Sequence, residues 1–104
     1  MAWIKTNWTV PGYMGRGTVN REGYRLGAFG VYKGRSGWFA DHIPSGFSLS
    51  LLDAPKLADA KRNAERAAAI PGIDWNDSGL ADKVATWRSA EGDALPTAVR
   101  KALA

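Results

Sequence analysis

Aromatic and branched residues come in two runs between Tyr24 and Ile43, YRLGAFGVYK and WFADHI, on either side of Gly34-Arg35-Ser36-Gly37. Two such runs around a glycine-bounded turn predict a β-hairpin. Pairing Lys33 with Trp38 sets Tyr32 opposite Phe39, Val31 opposite Ala40, Phe29 opposite His42 and Ala28 opposite Ile43. Side chains alternate along a strand, so the two faces separate. One carries Tyr24, Leu26, Ala28, Tyr32, Phe39 and Ile43, the expected core side. The other carries Arg25, Phe29, Val31, Lys33, Trp38 and His42, and mixes cations with flat rings.

The same patterning predicts the remaining elements. Ile4, Thr6, Trp8 and Val10 fall on one side of a strand over residues 2–10, ended by Pro11-Gly12. Residues 11–23, with four glycines and a proline, read as a loop holding at most a short strand at Thr18-Val19. Phe47, Leu49 and Leu51 alternate with serines as a further short strand. Asp53 suits a helix N-cap, and Pro55 is tolerated in a first turn. Leu57, Ala60, Ala64, Ala67 and Ala68 then recur at helical spacing until Pro71-Gly72, with side chains small enough to lie close to a sheet. A second helix is predicted over residues 79–90, burying Trp87 on a stripe with Leu80 and Val84. A last one over residues 96–103 aligns Leu95, Val99 and Leu103. The order predicts an α+β fold: a three- to four-stranded antiparallel sheet followed by one long helix and two shorter helices, as a single domain over residues 1–104.

Charge changes this picture through its placement. Residues 1–52 hold six cations against two anions, whereas residues 53–104 hold eight of each. The first half also holds nine of the eleven aromatics and nine of the twelve glycines. A basic, aromatic half suits an anionic partner, either nucleic acid or an acidic protein surface. Lys and Arg guarding a solvated sheet edge would give the same excess. No apolar run approaches the roughly 18 residues needed to span a bilayer, and the N-terminus lacks the apolar core of a signal peptide. With no cysteine there is no disulfide or thiol chemistry, which fits a reducing cytoplasm.

Candidate chemistry is sparse. His42 is the lone histidine, and its neighbour Asp41 points to the opposite face of the strand, so it cannot orient the imidazole. One histidine and scattered carboxylates do not make a zinc site, and Asp74, Asp77 and Asp82 lack the spacing of a calcium loop. Gly15-Arg16-Gly17 lacks the following helix and Lys-Ser/Thr pair of a phosphate loop. No catalytic residue, metal or cofactor is therefore expected. Arg25, Phe29, Lys33, Arg35 and Trp38 form the candidate partner-binding surface, in which rings would stack on bases and cations meet phosphates. The same rings would be core if the helices bearing Leu80, Val84, Trp87, Leu95 and Val99 covered that face.

Two resemblances bear on these expectations. Residues 55–70, PKLADAKRNAERAAAI, look like the last helix of a double-stranded-RNA-binding domain. No helix precedes the strands, Leu57 follows Lys56 where that family has paired lysines, and Asp53 and Asp59 sit where phosphates would dock. The likeness is one of an alanine helix packing on a sheet. Gly37-Trp38, His42-Ile43-Pro44-Ser45-Gly46 and Ala60-Lys61, within residues 37–69, resemble a pattern in short phage and prophage proteins. That resemblance implies a non-catalytic accessory factor, anti-CRISPR-like, that inhibits a host nucleic-acid-handling defence complex by stoichiometric protein binding. It implies a protein partner such as a CRISPR-type effector complex, and no particular residue. Direct binding of DNA or RNA through the basic aromatic hairpin is the alternative expectation.

Overall fold

The structure, a computed structural model, describes residues 2–104. Four antiparallel strands, β1 (Ile4–Pro11), β2 (Thr18–Leu26), β3 (Phe29–Lys33) and β4 (Trp38–His42), form one sheet in sequence order. Helices α1 (Leu57–Ala68), α2 (Leu80–Lys83) and α3 (Leu95–Leu103) follow. This is the expected α+β arrangement, with a longer sheet.

The β3–β4 register is the predicted one, from Lys33 opposite Trp38 to Phe29 opposite His42. Its turn is closed by the Gly34 N–H donating to the Gly37 carbonyl at 2.8 Å. The run from Tyr24 to Lys33 is not one strand, however. It folds back at Gly27-Ala28, and Leu26 pairs directly with Phe29. Gly27 adopts a φ of +57°, a left-handed conformation that glycine enters without the steric cost of a Cβ. The glycine-rich loop shrinks accordingly: residues from Thr18 onward extend β2 and pair with β1 over eight positions.

This extra turn reassigns the faces. Leu26, Phe29 and His42 share one face, as do Tyr24, Val31 and Ala40, while Arg25 joins Gly30 and Asp41 on the other. The first face is the core side. Phe29, Val31 and Ala40 are buried there with Leu52, Trp75, Leu80, Leu95, Val99 and the alanines Ala60, Ala64 and Ala67 of α1. Those three alanines are fully buried, as their helical spacing predicts. Tyr32 and Phe39, expected in this core, lie on the opposite face.

The helix half departs from the pattern at its ends. Residues 47–54 form no strand. They return along the outer edge of β4 through isolated bridges Asp41–Ser48 and Trp38–Ala54 around a 3₁₀ turn at Ser50–Leu52. Asp53 caps no helix. Its carboxylate accepts the Ala40 N–H at 3.0 Å, satisfying a donor on the β4 edge, and α1 begins after Lys56. α2 is four residues long, and Trp87 lies beyond it, half-buried, with its indole N–H on the Gly72 carbonyl at 2.9 Å.

The sheet is strongly curled. Laid flat, four strands about 4.8 Å apart would separate β1 from β4 by about 14 Å. Yet the Trp8 indole of β1 donates to the Asp41 carboxylate of β4 at 2.9 Å. Pro11 likewise reaches Gly46, where an added Cβ would lie 2.4 Å from the proline ring. Trp8 fills the inside of the curl, lying over Gly30, whose Cβ would fall 2.5 Å from the ring. Trp8, Val10 and Asp41 are therefore buried in a second, small core on the face away from the helices.

Candidate functional site

The residues proposed for partner contact do not assemble into one surface. Phe29 is 2 % exposed, with its ring centroid 4.8 Å from that of Trp75. A base cannot stack on it. Trp38 is half-buried, 6.2 Å from Tyr24, and its backbone is tied to Ala54. The expectation of a stacking face built from Phe29 and Trp38 is thus corrected: the rings belong to the helix-covered core. Arg25, Lys33 and Arg35 are exposed, but Arg25 faces the other way from Phe29 and spends its Nε on the Gly27 carbonyl at 2.7 Å.

His42 is 0 % exposed and both ring nitrogens are committed. Nε2 lies 2.6 Å from the Trp75 carbonyl, which can only accept, so Nε2 carries the proton. Nδ1, 2.6 Å from Ser45 Oγ, then accepts from that hydroxyl. Burial pushes the imidazole pKa below its ordinary 6.5, against the opposing pull of the Trp75 carbonyl and Asp77. The unfolded chain takes up its proton near pH 6.5, and the folded chain only at lower pH. His42 therefore contributes full stability above about pH 6.5 and progressively less as pH falls below it. Asp41 and Asp53, whose pKa values burial raises, act in the opposite sense above their usual carboxylate range. Ring proton shifts isolate His42: its NMR titration midpoint should lie below 6.5, and a midpoint at or above 6.5 would contradict the buried, neutral ring.

Sequence reasoning missed the polar centre of the curled sheet. Asp41 is 2 % exposed and accepts from Trp8. Arg21 approaches the same oxygen through Nε at 3.4 Å and lays its guanidinium 4.1 Å over the Tyr32 ring. Tyr32 packs edge-on against Phe39 and Trp8. The guanidinium is thus held by an aromatic face and a buried carboxylate while its side chain stays 27 % exposed. Burial raises the Asp41 pKa, and the Trp8 N–H and Arg21 pull it back. The available signal was a carboxylate in a strand interior with glycines at positions 23 and 30 on the neighbouring strands.

Ion pairing follows the charge asymmetry of the sequence. Of the four ion pairs among the described residues, three, Arg62–Asp59, Lys83–Asp77 and Lys101–Asp93, lie in the helix half. In the strand half only Arg21 pairs; Lys5, Arg16, Arg25, Lys33 and Arg35 are exposed without an ion-pair partner among the described residues. Among the described residues no cluster of three His, Cys, Asp or Glu side chains could hold a metal ion. An apolar cavity of about 170 Å³ lies between Leu49, Leu52, Trp75, Val84, Leu95 and Val99, with no ionisable group on its walls. Among the described residues no helix is long and apolar enough to cross a membrane. No protein family, curated protein or solved structure matches the chain.

Proposed function

We propose that the protein is a non-catalytic, phage-type binding protein that acts by stoichiometric contact through its strand half. Its partner would be a nucleic-acid-handling host defence complex in the cytoplasm, such as a CRISPR-type effector. The observation that carries this reading is the exposed, unneutralised set Lys5, Arg16, Arg25, Lys33 and Arg35 around the sheet. Uncompensated exposed charge favours encounter with an anionic surface. The buried, fully bonded His42 supports contact rather than turnover. The test is titration of the protein into a purified CRISPR-type effector during target-DNA binding. Inhibition should saturate at a fixed, near-equimolar ratio. Complete inhibition far below equimolar, growing with time, would indicate turnover, and no inhibition at excess would remove this partner.

Direct nucleic-acid binding is the second reading. It is favoured by the Arg21 guanidinium held on Tyr32 at the mouth of the curl.

A further inference from the structure

We infer that the depression lined by Asn20, Arg21, Glu22, Tyr32, Lys33 and Gly34 is a phosphate-contact site for the backbone of double-stranded nucleic acid. This rests on the second reading above, and names its site and substrate form. The depression forms because β2 runs past the end of its pairing with β3: the ladder stops at Gly23 opposite Tyr32, and Asn20, Arg21 and Glu22 continue beyond it. Arg21 is fixed there before any partner arrives. Its Nε points to Asp41 and one guanidinium face lies on Tyr32, which leaves the edge bearing the terminal nitrogens turned from the buried carboxylate. A planar fork held in this way matches two phosphate oxygens, and little rotamer freedom is left to lose on contact. Lys33 on the lining is exposed and has no ion-pair partner among the described residues. Glu22 is the one carboxylate on the lining.

Two features select duplex nucleic acid over other anionic partners. Single strands are held largely by bases stacked on free aromatic faces. Here the rings at the site are engaged: Tyr32 carries Arg21 on its face and packs edge-on against Phe39 and Trp8, and Trp8 is buried. Protein interfaces have apolar centres and polar rims, whereas nucleic-acid interfaces are polar and cationic throughout. Around this site the centre is a guanidinium, and the exposed apolar residues Ile4 and Val19 lie outside its lining.

The test is fluorescence anisotropy of a 20-base-pair duplex, and of its single strands, across a salt series. Wild type should bind the duplex more tightly than either strand, with log affinity falling linearly in log salt. Arg21→Lys keeps the charge and the Asp41 pair but loses the planar fork, and should weaken duplex binding about tenfold, the scale of one charge-assisted hydrogen bond. Lys33→Gln, exposed and outside the Asp41 network, should reduce the salt slope by about 0.9, one phosphate contact. Arg100→Gln on α3 should change neither. The proposal is overturned if wild type shows no salt-dependent duplex binding, if single strands bind equally well, or if Arg21→Lys and Lys33→Gln both stay within twofold of wild type. Failure of the duplex assay leaves the contact role of the strand half standing if heparin retention still depends on strand-half cations. Loss of that dependence removes both.

Discussion

Replacing Phe29 with alanine should destabilise the protein by about 3–5 kcal/mol, the range for emptying an aromatic site in a packed core. The ring is 2 % exposed, sits between the Leu26 and His42 positions of neighbouring strands, and tilts against Trp75. Little of that volume can refill, because β3 is held on both sides by ladder hydrogen bonds and Trp75 is held close to His42, which bonds its carbonyl. The companion change Arg25→Ala, two positions from the same turn but with an exposed side chain, should cost less than about 0.5 kcal/mol. Urea melts of the two variants measure the difference. A loss below about 1 kcal/mol for Phe29→Ala would put the ring on the surface and restore it as a stacking platform.

That contrast between Phe29 and Arg25 shows where the sequence could be read and where it could not. The β3–β4 hairpin was legible to the residue because a glycine-bounded turn leaves one register that pairs its flanks. The α1 face was legible because Ala60, Ala64 and Ala67 repeat at helical spacing on a helix that must approach a sheet closely. The fold-back at Gly27-Ala28 was not, because it interrupts an apolar run with only one glycine and no polar residue. Missing it keeps Arg25 and Phe29 on one face, since a strand's faces alternate strictly until a turn resets them. The short α2 and the return of residues 47–54 along β4 are tertiary outcomes: Asp53 meets an edge donor on Ala40, a need that local preference does not contain. The Trp8–Asp41–Arg21 centre joins residues as far as 33 apart through sheet curl, which has no periodic signature. Of the candidate residues, Arg25, Lys33 and Arg35 are exposed, as charged side chains on strands and turns should be, whereas the Phe29 ring is buried.

The largest functional effect should come from reversing charge on the strand half. Arg25→Glu, Lys33→Glu and Arg35→Glu together shift the local charge by six units on a half whose only carboxylates are Glu22 and the buried Asp41. Exposed charges act over a Debye length of about 8–10 Å at moderate salt, so loss of contact should be greatest in dilute buffer and fade as salt rises. The matched control is Lys56→Glu, Arg88→Glu and Arg100→Glu, which makes the same change in net charge on the helix half, where each side chain is also exposed. The decisive measurement is the salt concentration needed to elute wild type and the two triple variants from immobilised heparin, a polyanion without sequence or bases. The strand-half variant should lose most of its retention while the helix-half variant keeps most of it. Equal losses in both variants would mean that only net charge matters, and would contradict a contact surface on the curled sheet.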